Sequence, residues 1–107
     1  MGVQLLRAAK AFPSVVLTGP RRAGKTMLLR RSFPDASYFL FEDPDVVARF
    51  RADPQGFLDS MPLPAILDEV QNVPEVFAHV RARIDRQPRR TGQWLLTGSQ
   101  EAPLMQG

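Results

Sequence analysis

The stretch Gly19-Pro20-Arg21-Arg22-Ala23-Gly24-Lys25-Thr26 decides how the rest of this chain is read. It fits G-x-x-x-x-G-K-[ST], the pattern of a phosphate-binding loop. Average residue usage produces that pattern by chance in on the order of one in a few hundred chains of this length. The flanks narrow the reading further. Ser14-Val15-Val16-Leu17-Thr18 is an apolar, β-branched run of the kind that forms a buried strand. Met27-Leu28-Leu29-Arg30-Arg31 favours helix, with its basic residues at the end where the helix dipole stabilises them. Strand, glycine loop and helix, in that order, form the setting a phosphate site requires.

Each position in the loop has a physical reason. Gly19 and Gly24 permit backbone angles and a close approach that a side chain would block. The backbone from Gly19 through Pro20, Arg21, Arg22, Ala23 and Gly24 to Lys25, Thr26 and Met27 then offers phosphates a nest of amides ending in a helix N-terminus. Lys25 is expected to reach the β- and γ-phosphates, and the Thr26 hydroxyl to take a place on Mg²⁺.

Composition bounds the alternatives. With 107 residues the chain holds at most one domain, assigned to residues 1–107. A hydrophobic fraction of 44% and a charged fraction of 23% are those of an ordinary globular chain. The net charge of +3 comes from twelve arginines against two lysines. This is read as a solvated surface, with nucleic-acid contact as the alternative. The absence of cysteine excludes disulfides and thiolate metal sites and fits a reducing compartment. His79 is the sole histidine, so a multi-histidine zinc site is excluded. No apolar run approaches the ~20 residues of a membrane span and the N-terminus carries no signal-peptide core, so the expected location is the cytoplasm.

Outward from the loop, strands and helices alternate. Leu5, Leu6, Ala9 and Phe12 recur at helical spacing ahead of Pro13, which predicts a short N-terminal helix. Ser37-Tyr38-Phe39-Leu40-Phe41 reads as a second strand, covered on both faces. Asp43-Pro44 and Asp53-Pro54 each supply a cap followed by proline at the first helical position, so two short helices follow. Their inward residues are Val46, Val47 and Phe50, then Phe57, Leu58 and Met61. Ala65-Ile66-Leu67 is a third strand. Asn72-Val73-Pro74-Glu75 reads as a capping box opening a helix to about residue 87, buried through Phe77, Val80 and Ile84. Gln93-Trp94-Leu95-Leu96-Thr97 is the fourth strand, with Trp94 in the core. His79 and the Arg89-Arg90 pair are read as packing and surface residues. Such alternation predicts an α/β fold, a mainly parallel sheet in a three-layer P-loop core.

Two further places carry chemistry. Asp68 follows an apolar strand, where a carboxylate at the carboxyl end opens onto the same crevice as the loop and can hold Mg²⁺ opposite Thr26. Glu69 beside it can orient and deprotonate a water attacking the γ-phosphate. At the end of the fourth strand, a polar side chain between loop and acidic pair can sense the γ-phosphate or fix that water. Ser99 is placed ahead of Thr97 and Gln100 for this role, an ordinary polar turn around Gly98 being the alternative.

Taken together, Thr18 to Thr26, Leu67-Asp68-Glu69-Val70-Gln71 and Leu96-Thr97-Gly98-Ser99-Gln100 resemble the prokaryotic AAA-type ATPases of the archaeal-ATPase-like branch. The resemblance implies a catalytic set of Lys25, Glu69 and Ser99, with Lys25 and Thr26 as the Walker A pair and Asp68 and Glu69 as the Walker B pair. It also implies ATP with Mg²⁺ as the nucleotide and metal; the choice of adenine over guanine rests on the resemblance alone, since no base-reading motif is visible. Phe41-Glu42-Asp43-Pro44 is similar to the acidic turn after the second strand of those proteins. They continue past the fourth strand with a fifth strand, a helical lid and a C-terminal domain of unknown function. This chain therefore looks like an N-terminal fragment. Protein partners or further copies would engage through the missing region, and no arginine finger can be assigned. Two rival readings stay open: a small P-loop kinase, against which Glu69 argues, and a nucleotide- or nucleic-acid-binding fragment without turnover.

Overall fold

The computed structural model describes residues 7, 11–12, 14–19, 24–87 and 89–99. The expected N-terminal helix, the loop residues Pro20 to Ala23 and Gln100 lie largely or wholly outside that set.

Four strands form one sheet: β1 (Ser14–Gly19), β2 (Ser37–Leu40), β3 (Ala65–Asp68) and β4 (Trp94–Ser99). Their order is β1-β4-β3-β2, and every pairing is parallel. Five helical segments connect them: α1 (Lys25–Ser32), α2 (Pro44–Ala52), α3 (Pro54–Asp59), a single 3₁₀ turn (Val70–Asn72) and α4 (Glu75–Arg86). The register sets Ile66 beside Leu95 and Leu67 beside Leu96, so consecutive residues serve opposite faces. Ile66 and Leu95 join Val15 and Leu29 in a core beneath α1. Leu67 and Leu96 join Phe41, Val46, Phe50, Leu58, Val76 and Val80 in a second, larger core under α2, α3 and α4. The result is three layers, helix, sheet and helices, as the alternation predicts. Among the described residues, no helix is long and apolar enough to cross a membrane.

The local signals act as their chemistry requires. Asp43 caps α2 by accepting from the Asp45 amide at 2.9 Å, and Asp53 caps α3 by accepting from the Gly56 amide at 3.1 Å. Trp94 is buried, and His79 packs edge-on to Phe50 with ring centroids 5.5 Å apart. Arg89 and Arg90 are exposed.

Two expectations need correction. Phe41 is not the last residue of β2: its amide donates to the Asp68 carbonyl at 2.8 Å, and the chain turns there to bury the ring among Phe50 and Phe57. The capping box at Asn72 does not form. Val70 to Asn72 wind into a 3₁₀ turn, the Asn72 amide group donates to the Glu69 carbonyl at 3.0 Å, and α4 starts at Glu75 without a side-chain cap. The buried stripe of α4 is correspondingly led by Val76 and Val80, with Phe77 and Ile84 half-buried against it.

Candidate functional site

Because all strands run the same way, their carboxyl ends share one edge of the sheet. Gly19 ends β1, Asp68 ends β3, and Thr97 and Gly98 lie near the end of β4 between them. Gly24 precedes α1 with φ of +74°, a left-handed conformation that glycine adopts without strain. Among the described residues, a β-carbon there would meet no atom within 4 Å, so the constraint they place on this position is the backbone angle.

Lys25 is the first residue of α1 and is buried. Its Nζ donates to the Gly19 carbonyl at 2.8 Å and to the Gly98 carbonyl at 2.5 Å. The two acceptors belong to adjacent strands, so the ammonium ties β1 to β4 at their carboxyl ends. A buried ammonium needs such partners, because desolvation without them costs several kcal/mol. Thr26, next along, donates from Oγ1 to Asp68 Oδ2 at 2.8 Å. Met27 is exposed, and its side chain takes no part in this network.

Asp68 is buried, and three hydroxyls converge on it. Thr26 and Tyr38 both donate to Oδ2, Tyr38 at 2.5 Å. Thr97 donates to Oδ1 and, through the same oxygen, accepts the Glu69 amide at 2.9 Å. Thr97 thus links the two carboxylate residues directly. Charge-assisted hydrogen bonds of this kind are the strong ones, and three of them fix the carboxylate plane.

Glu69 is also buried, in a left-handed conformation with φ of 56° and ψ of 49°. A non-glycine residue held there costs of order 1–3 kcal/mol, a feature that clusters at functional sites. Its surroundings hold it: the amide bonds Thr97, the carbonyl accepts from Asn72, and Gln71 Nε2 donates to Glu69 Oε1 at 2.6 Å. Burial, reinforced by the hydrogen bond to Asp68, pushes the Tyr38 phenol well above its ordinary value.

Lys25, Thr26, Asp68 and Glu69, named from sequence, come together at this edge. Ser99 reaches it through its backbone, paired with Gly19, while its side chain lies outside the described set. Sequence reasoning did not single out Tyr38 or Gln71. The signals were a lone phenol in an apolar strand and an amide two residues past a carboxylate pair. A cavity of about 250 Å³ lined by Leu58, Ile84, Gln93 and Trp94 lies at the amino ends of β3 and β4 and shares no residue with this cluster.

An all-parallel sheet with a glycine-preceded helix and a lysine at the carboxyl ends of its strands is the core of a P-loop-type nucleotide-binding protein. Residues 11–107 match the family described as AAA domain, and the chain belongs to that family of nucleotide-binding domains. It is 37% identical over 105 residues to the uncharacterized protein Rv2008c of Mycobacterium tuberculosis (strain ATCC 25618 / H37Rv). The same identity holds to the uncharacterized protein Mb2031c of Mycobacterium bovis (strain ATCC BAA-935 / AF2122/97). The match takes in 95% of this chain and 23% of each relative, so the chain spans less than a quarter of the curated relatives' length.

Proposed function

We propose that residues 1–107 form the ATP-binding core of an AAA-type ATPase, which binds ATP with Mg²⁺ and hydrolyses it to ADP and phosphate. The observation that carries this reading is the convergence of Lys25, Thr26, Asp68 and Glu69 on one sheet edge. The donor chemistry fits the metal: the Thr26 hydroxyl and the Asp68 carboxylate are hard oxygens 2.8 Å apart, the ligand type Mg²⁺ takes. Thr26 and Asp68 would hold the ion, which when bound would offset the negative charge of the phosphates.

The chain's own groups do the rest. In this reading the phosphates are the ligand of the sequence motif Gly19, Pro20, Arg21, Arg22, Ala23, Gly24, Lys25, Thr26 and Met27, with Lys25 supplying positive charge to them. Glu69 accepts a proton from the water whose oxygen bonds the γ-phosphorus, as the bond to the bridging oxygen breaks and ADP departs. Thr97 keeps Glu69 in register with Asp68, and Ser99 is the sensor of the γ-phosphate. In this reading the protein works in the cytoplasm, where a protein partner or further copies of the chain would engage it.

The test is Glu69→Gln. ATP binding should persist while turnover falls on the order of 10²- to 10⁴-fold, the usual contribution of a general base. Unchanged turnover in that variant would remove Glu69 from the role.

A further inference from the structure

We infer that Tyr38 is the positioning residue that fixes the Asp68 carboxylate for metal-dependent nucleotide binding, an inference that rests on the ATP·Mg²⁺ reading of this site. Tyr38 stands on β2 opposite Ile66 of β3, while Asp68 lies two residues further along. Two residues of strand span about 6.6 Å. A phenol crosses that distance along the sheet, whereas a serine or threonine hydroxyl at position 38 would fall short. The phenol oxygen meets Asp68 Oδ2 at 2.5 Å.

Helix α1 fixes the ring from outside. Thr26 and Arg30 stand one turn apart on it. Thr26 donates to the same Oδ2, and the Arg30 guanidinium lies 4.7 Å over the Tyr38 ring. The division of labour follows from what each hydroxyl can offer. Thr26 belongs to the phosphate-binding helix and has lone pairs to give a cation while its O–H donates to Asp68. Tyr38 and Thr97 touch Asp68 from strands on either side, on Oδ2 and Oδ1 respectively, and so hold the carboxylate against rotation. Tyr38 spends its hydroxyl on Asp68 and would act on the metal through that carboxylate.

The experiment compares wild type with Tyr38→Phe, which deletes one oxygen. ATP affinity is measured by calorimetry with EDTA and over a Mg²⁺ series, alongside thermal melts. The expected result is a half-saturating Mg²⁺ concentration raised about tenfold, the effect of losing one hydrogen bond to a charged group. ATP affinity in EDTA should stay within about twofold, since no phosphate contact changes. A wild-type Mg²⁺ series in the variant would overturn this inference alone. Equal losses with and without Mg²⁺, together with a lower melting temperature, would reduce Tyr38 to packing and overturn it too. A folded wild-type chain that ignores ATP at every Mg²⁺ level would overturn the nucleotide reading and this one with it.

A second measurement needs no substitution. Tyr38 is the sole tyrosine, so 3-fluorotyrosine labelling gives a single fluorine resonance. Adding Mg²⁺ to the ATP complex should shift it. A stationary resonance under saturating Mg²⁺ would contradict the inference.

Discussion

At the scale of single residues, Thr97 ties the two carboxylate residues together. Its hydroxyl is fully buried and serves Asp68 and Glu69 together. Thr97→Val keeps the shape and removes the hydroxyl, leaving a buried amide and a carboxylate oxygen each short of a partner. We predict a loss of about 1–3 kcal/mol in urea unfolding, more than an exposed threonine would cost. On the proposed ATPase reading, turnover should fall further than ATP affinity does, because Glu69 loses its anchor while Lys25 keeps its contacts. Gly24→Ala tests a different term. Among the described residues there is space for the methyl group, so its cost is confined to holding alanine at φ of +74°, about 1 kcal/mol by the same unfolding measurement. The positions of the candidate site residues were legible where the pattern is local to the chain. Lys25, Thr26, Asp68 and Glu69 announce themselves by spacing after apolar strands. Tyr38 does not, since its partner is 30 positions away and only the β2–β3 register brings the two together.

At the scale of elements, helix starts give the sharpest predictions. A β-carbon on Gly56 would overlap Asp53 Oδ2, so Gly56→Ala must push that carboxylate away and break the α3 cap. Replacing a helical glycine by alanine ordinarily gains about 0.5–1 kcal/mol. We predict that this gain appears only in an Asp53→Ala background and is cancelled in the wild type, which a double-mutant cycle by denaturation would measure. Glu75 opens α4, where the hydrogen bond from its own backbone amide, helped by Arg51 at 3.0 Å, holds its carboxyl below the usual 4.5. A carboxyl depressed by folding stabilises above its unfolded value and loses that contribution as pH falls through the folded one. Stability should therefore drop less between pH 5 and 3 in Glu75→Gln than in wild type. The pair is well exposed, so solvent screening keeps the difference below about 1 kcal/mol. The Asp-Pro starts were readable because cap and helix are contiguous. Asn72 carried the same signal and went elsewhere. Glu69's left-handed turn brought its carbonyl within reach of the Asn72 side chain, and a 3₁₀ turn occupied the segment where the helix would have begun. A tertiary constraint on the acidic pair thus outweighed a local capping preference.

At the scale of the whole molecule, strand order makes the site. Alternating strands and helices imply a parallel sheet, but they do not by themselves say that β4 inserts between β1 and β3. That insertion sets Gly19, Thr97 with Gly98, and Asp68 on three neighbouring strands, within about 10 Å at the usual strand spacing. Lys25 then bridges the first two strands and Thr97 the last two. The fold and the site are therefore one arrangement, and the central claim is that it binds ATP with Mg²⁺. The most direct measurement is calorimetric titration of the chain with ATP and Mg²⁺, beside Lys25→Ala checked for folding by circular dichroism. We predict micromolar binding, about 8 kcal/mol, in the wild type and its loss in the folded variant. A folded wild-type chain that takes up no ATP at millimolar concentration, or a Lys25→Ala variant that binds as well as wild type, would contradict the account.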